Sequence, residues 1–107
     1  MPVSLKLMPD YQASPLWDRE TGRNLQLDAL PIAAGLKRDL ASWAEKFDDT
    51  LNVGDPVNSG FRSQEALRAF EEEGIRLWRR IRAELGEAAD VRYFSSITRR
   101  LLDPGAI

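Results

Sequence analysis

Three carboxylates, Asp10, Asp18 and Glu20, lie in a proline-containing stretch near the start of the chain. Two neighbouring carboxylates can serve as general acid and general base when their environments separate their pKa values. The sequence has no histidine or cysteine, and it lacks a glycine-rich phosphate loop or a recognisable nucleophile and base pair. A small carboxylate-based enzyme is therefore the weakest hypothesis, and we predict no catalytic residues.

A second acidic group lies in the stretch EKFDDTLNVGD, which contains Glu45, Asp48, Asp49 and Asp55. Carboxylate oxygens bind hard cations, but the spacing lacks the alternating ligands and central glycine of a calcium-binding EF-hand loop. Acids at the C-terminal end of a helix also face the unfavourable end of its dipole. The pattern favours an acidic surface that faces a partner, and we predict neither a metal site nor a cofactor.

Tyr11 and Trp17 are the aromatic residues of the first acidic stretch, which has no regular period. We expect Leu16 and Trp17 to fill the core, with Asp10 and Tyr11 at its rim, where an aromatic side chain can anchor an interface. The residues predicted to bind a partner are Asp10, Tyr11, Asp18, Glu20, Asp48, Asp49 and Asp55.

Basic residues are diluted by acids throughout the chain. Arg76, Arg79, Arg80 and Arg82 could bind phosphate or carboxylates, but acids interleave with them and the net charge is −2. A nucleic-acid-binding domain is normally more basic. We therefore predict no direct binding to nucleic acid.

Hydrophobic periodicity supplies the elements that position these residues. Residues 3–8 alternate as a half-buried strand, 10–31 form a long ordered loop, and the 3.6-residue period of 32–52 predicts the first helix. The second helix begins after the N-cap Ser63 and ends before Gly86.

The alternation of side chains over residues 90–96 predicts the second strand. The residues that follow it predict one or two helical turns before Asp103. The fold class is α+β in two layers, β-long loop-α-α-β, with two helices packed on a small antiparallel sheet. We expect the two outer strands to pair antiparallel, with the sheet edges covered by the long loop or by another chain.

Length and composition favour one domain over residues 1–107, with 43% hydrophobic and 30% charged residues. The absence of cysteine and of any signal-like or membrane-spanning segment predicts a cytoplasmic protein that does not bind membranes.

Several segments together carry a family resemblance. These are KLMPDYQASPLW, LPI, LASWAEKFDDTLN, DPVNSGF and FEEEGIRLWRRIRAEL. They resemble a family of small bacterial proteins with the pattern Asp-Tyr, three residues, Pro-Leu-Trp. In its general build, which is acidic, cysteine-free and without a catalytic set, the chain is also similar to immunity proteins paired with antibacterial toxins, including those of contact-dependent growth inhibition.

This resemblance implies a protein-binding module that neutralises a cognate protein toxin. A basic nuclease domain is the class of toxin that an acidic inhibitor would match, because opposite charge speeds encounter. The alternative is a homodimeric structural or regulatory subunit that pairs through the open sheet edge or through Ile97, Leu101 and Leu102.

Overall fold

The computed structural model describes residues 3–50 and 61–103. In these ranges, the regular elements in chain order are β1 Val3–Leu7, β2 Leu16–Asp18, β3 Asn24–Leu25, α1 Ala34–Asp48, α2 Gln64–Leu85, β4 Ala89–Phe94 and β5 Leu101–Leu102. Short 3₁₀ turns at Leu27–Ala29 and Gly86–Ala88 precede α1 and follow α2.

The strands form one mixed sheet in the order β3-β2-β1-β4-β5. β1 pairs parallel to β4, with Val3 opposite Ala89 and Leu7 opposite Tyr93, while the other pairs are antiparallel. The predicted antiparallel pairing of the two outer strands is therefore wrong. The predicted long loop is also partly wrong, because it contributes β2 and β3 and so covers one edge of β1.

The connection between β3 and α1 explains the parallel pairing. β3 ends beside Leu16, at the end of the sheet where β1 also ends. α1 starts at the opposite end, where the Ala33 amide donates to the Glu84 carboxylate near the end of α2. Residues 26–33 thus carry the chain back along the sheet before the helical hairpin, so β4 leaves α2 in the same direction as β1.

Both helices pack on one face of the sheet, which confirms the α+β class with two helices on a sheet. The strands turn Leu5, Leu7, Leu16, Val91 and Tyr93 to the helices, in keeping with their two-residue period. The helices and the segment before α1 contribute to the same core Ile32, Leu36, Leu40, Trp43, Phe70, Leu77, Trp78 and Ile81.

The two tryptophans of the helices are buried together with their polar atoms satisfied. The indole of Trp43 donates to the Phe70 carbonyl at 2.9 Å, and that of Trp78 donates to the Val91 carbonyl at 2.8 Å. The Trp43 and Phe70 rings stack at 4.6 Å between centroids. These bonds fix α1 to α2 and α2 to β4, because buried indole N–H groups require acceptors.

The second helix has the predicted ends, whereas the first is shorter than predicted. Ser63 caps α2, since its Oγ accepts from the Ala66 amide at 3.1 Å, and Gly86 follows with a φ of 55°. α1 starts at Ala34, two residues after the predicted start, because Ile32 joins the core from the bend before the helix. The predicted helical turns before Asp103 are wrong, because residues 95–100 form a turn that leads into β5.

Trp17 differs from its prediction. Leu16 is buried as expected, but Trp17 points to the opposite face of the sheet, where it is half-buried. Its indole donates to the Met8 carbonyl at 2.9 Å, and the Lys6 amine lies 6.0 Å from its ring centroid. Successive strand residues alternate between faces, so Leu16 and Trp17 cannot both enter one core.

Candidate partner-binding site

The segment that follows β1 is fixed to the C-terminal end of α1. The Tyr11 ring packs on Phe47 with 4.7 Å between centroids, and its hydroxyl lies 3.0 Å from the Thr50 hydroxyl. The Gln12 amide donates to the Asp48 carboxylate at 2.8 Å. Contacts over nearly forty residues of sequence therefore hold Tyr11 in place, half-buried, beside the acidic end of the helix.

Four of the predicted partner-binding residues come together at this end of the molecule. We name them the acidic rim, and they are Asp10, Tyr11, Asp48 and Asp49. Asp10 and Asp49 are exposed, whereas Asp48 is half-buried and holds the Gln12 amide. The Asp10 carboxylate accepts from the Tyr11 amide at 2.8 Å, so its position is set by its own turn.

The other predicted residues do not join the acidic rim. Asp18 lies opposite Leu5, at the far end of β2, and its carboxylate accepts from the Glu20 amide at 2.8 Å and the Thr21 amide at 3.3 Å. This carboxylate therefore closes the turn after β2. Glu20 is exposed in that turn. Asp55 lies outside the described residues.

A groove of about 740 Å³ begins at the acidic rim. Its apolar lining includes Met8, Pro9, Tyr11, Phe47, Phe61, Leu67 and Phe94. Asp10 also lines it, as do Ser96 and Arg99 from the 95–100 turn. The groove is thus a mainly apolar depression with an acid from one segment and a base from another.

Glu71 is a buried carboxylate that sequence patterns did not single out. It is 7% exposed and accepts from the Tyr93 hydroxyl at 2.7 Å, from the Ser96 amide at 3.1 Å and from the Ser95 hydroxyl. Helical spacing could have found it, because Glu71 shares the buried side of α2 with Gly74, three residues on. Its network joins α2 to the 95–100 turn, beside the groove.

This network also acts on Tyr93. Burial, the hydrogen bond to Glu71 and the charge of Glu71 all raise the pKa of the Tyr93 phenol above its ordinary value. The tyrosine therefore remains a hydrogen-bond donor to Glu71 throughout the neutral range. A buried carboxylate with several donors serves here to position a surface turn.

A second groove of about 680 Å³ lies between α1 and the β2–β3 region, with Asp28, Lys37, Arg38 and Glu45 in its lining. Because both acidic and basic side chains line this groove, its charge favours neither an anionic nor a cationic ligand.

Among residues 3–50 and 61–103, no three acidic side chains are close enough to hold a metal ion. No helix in this described part of the chain is long and apolar enough to cross a membrane.

Comparison with protein families gives a match over residues 3–96 to the family described as Serratia CdiI immunity protein-like. The chain belongs to this family. The match spans β1 to the beginning of the 95–100 turn and so includes the acidic rim and Glu71. It confirms the resemblance to immunity proteins of contact-dependent growth inhibition. Comparison with curated proteins gave no match.

The exposed acids of the acidic rim differ in their pairing from the charged residues that join the two helices. Asp10 and Asp49 form no ion pair with other residues of the described ranges, whereas Lys46–Glu73 and Arg80–Asp39 join the two helices.

Proposed function

We propose that this protein is a cytoplasmic immunity protein that neutralises one cognate antibacterial toxin by direct binding and catalyses no reaction. The observation that carries the proposal is the family match over residues 3–96. The absence of histidine and cysteine from the sequence is consistent with action by binding. On this proposal, the cognate toxin domain is the physiological partner.

The acidic rim supports a specific place for the toxin. Asp10 and Asp49 are exposed, and Tyr11, which lines the groove together with Asp10, is half-buried and held by Phe47. A held aromatic side chain beside uncompensated charge is the composition of an interface hot spot with steering groups around it. A basic toxin, such as a nuclease with a positive substrate groove, matches this charge.

Asp18 and Glu20 remain predicted contacts at the other end of β2. The geometry gives them less support, because the Asp18 carboxylate is already bonded to two backbone amides of its own turn. Glu20 is exposed and available to a partner. An interface that buries the usual ~800 Å² per protein could include one end of the sheet without the other.

The first test is affinity capture of the tagged protein from its own bacterium, with mass spectrometry of the proteins that remain after a salt wash. Recovery of a toxin domain in equal amount is the expected result. The purified toxin domain should then lose its activity when this protein is added. Recovery of this chain alone would contradict the immunity proposal and favour the homodimer.

Charge reversal then tests the acidic rim. We expect Asp10→Lys combined with Asp49→Lys to weaken binding of the captured toxin domain by roughly tenfold or more, as measured by calorimetry. The control is Glu87→Lys, an exposed acid beside the far end of α2. Equal affinities of the rim variant and the wild type would remove the acidic rim from the interface.

A further inference from the structure

The two ends of the groove belong to segments that leave the same end of neighbouring parallel strands. β1 continues into Asp10 and Tyr11, and β4 continues into the 95–100 turn. Tyr11 is held by α1, whereas the 95–100 turn is held by Glu71 of α2. The groove therefore has two walls of different charge. The acidic wall is formed by Asp10 and Tyr11 on the side of α1, and the basic wall is formed by the 95–100 turn with Arg99 on the side of α2.

The basic wall is a turn whose shape is fixed before any partner arrives. The Ser95 hydroxyl accepts from the amides of Ile97 at 3.2 Å and Thr98 at 3.1 Å, while the Arg99 amide donates to the Ser95 carbonyl at 2.9 Å. The Ser95 amide donates to the Arg100 carbonyl at 2.9 Å. Glu71 holds the turn from beneath through Ser95 and the Ser96 amide.

This fixed turn exposes large apolar side chains, which are unusual in a turn that contacts only solvent. Ile97 is 47% exposed and Leu101, directly after the turn, is 40% exposed, and both are among the few exposed large apolar residues of the described chain. Arg99 and Arg100 are exposed between them. Arg99 has a φ of 57°, which disfavours most side chains and is more readily adopted by asparagine or aspartate.

Preorganisation favours binding because the entropy of ordering the turn is lost on folding and not on association. Burial of a carboxylate costs free energy unless several hydrogen-bond donors satisfy it. The donors to Glu71 include the Ser96 amide, so the bonds that satisfy the carboxylate also fix the turn. Apolar and arginine side chains on such a turn have the composition of interface anchors. The turn thus has both the rigidity and the chemistry of a contact surface.

We infer that the groove binds a polarised segment of the toxin: an apolar side chain on the groove floor, a basic side chain toward Asp10, and an acidic side chain toward Arg99. This inference rests on the proposed function and specifies its partner. Charge complementarity selects this occupant, because a uniformly basic segment would meet Arg99 and a uniformly acidic one would meet Asp10.

The test uses a double variant that exchanges the charges of positions 10 and 99 without changing their sum. The captured toxin domain is titrated with the wild type, Asp10→Arg, Arg99→Asp, and the double variant Asp10→Arg/Arg99→Asp. Aspartate is chosen for position 99 because it tolerates the positive φ. The control is Arg79→Glu, an exposed arginine on α2. It is twelve residues beyond the groove residue Leu67, about 18 Å along the helix.

We expect each single variant to weaken binding by roughly tenfold, the double variant to bind no better than the weaker single, and Arg79→Glu to bind within about twofold of wild type. Melting temperatures confirm that the variants fold. Wild-type affinity of Arg99→Asp or of the double variant would overturn the polarised groove while leaving the immunity function in place. Absence of any captured toxin domain would overturn both proposals.

Discussion

At the scale of single residues, Glu71 is the least expected feature of this chain. It lies in a run of three glutamates, of which Glu72 is exposed and Glu73 pairs with Lys46 on the neighbouring helix. Composition alone therefore predicts a solvated position. Its register on α2 places it inside, where Tyr93 and the 95–100 turn supply the donors that make burial tolerable.

Alkaline titration should reveal the burial of Tyr93. Its pKa is raised in the folded protein, whereas a tyrosine of the unfolded chain ionises near pH 10. The contribution of this residue to the free energy of unfolding is therefore intact below about pH 10 and declines above it, because only the unfolded chain releases the proton.

Tyr11→Phe leaves Tyr93 as the single tyrosine, since the sequence has two. In this variant, we expect the phenolate absorbance to rise together with the loss of circular dichroism as the pH increases. Phenolate absorbance that rises while the dichroism stays native would show that Tyr93 is accessible to solvent in the folded state, which would contradict its burial.

At the scale of elements, the two helices were predictable because each carries a long apolar stripe, and α2 has a serine cap and a terminal glycine. β2 and β3 were not, because strands of three and two residues are too short to display a period. The direction of β4 depends on the return of residues 26–33 along the sheet, which leaves no local signature.

The candidate site was predictable only in part. Asp10 with Tyr11 and Asp48 with Asp49 belong to two separate predicted acidic groups, and the contact of Tyr11 with Phe47 brings these groups together. The basic wall was not predicted, since residues 95–100 show a short helical pattern in sequence. The turn forms instead because Ser95 and Glu71 satisfy its backbone amides.

Substitution of two glycines by alanine tests how closely the helices approach their neighbours. A Cβ at Gly74 would lie 2.5 Å from Cζ2 of Trp43 and 2.5 Å from the Tyr93 hydroxyl oxygen. We expect Gly74→Ala to lower the free energy of unfolding by about 1–3 kcal/mol in urea denaturation, because overpacking outweighs the better helix propensity of alanine.

Gly35→Ala is the matched control in α1. Among the residues that the structure describes, its Cβ would meet only the Arg38 guanidinium, at an ordinary 3.7 Å. The substitution should therefore raise stability by up to about 1 kcal/mol through helix propensity. Equal effects of the two alanines would mean that α2 does not approach α1 and β4 as closely as described.

At the scale of the whole molecule, the strand that comes first in the chain lies at the centre of the sheet, between β2 and β4. Removal of β1 should abolish cooperative thermal unfolding, followed by circular dichroism, because it separates β2 and β3 from the remaining strands. Removal of the edge strand β5 should lower the melting temperature but preserve a cooperative transition. A cooperative melt without β1 would contradict this sheet order.

The parallel pairing of β1 with β4 also has a consequence in time. Val3 lies opposite Ala89, so synthesis of the intervening chain, at ~5–20 residues per second, separates the two partners by roughly 4–17 seconds. During that interval the central strand lacks one neighbour, and the basic wall of the groove, which follows β4 in the chain, cannot form. The groove can therefore be completed only after the chain that follows β4 has emerged from the ribosome, so folding of each new molecule lags behind its own translation.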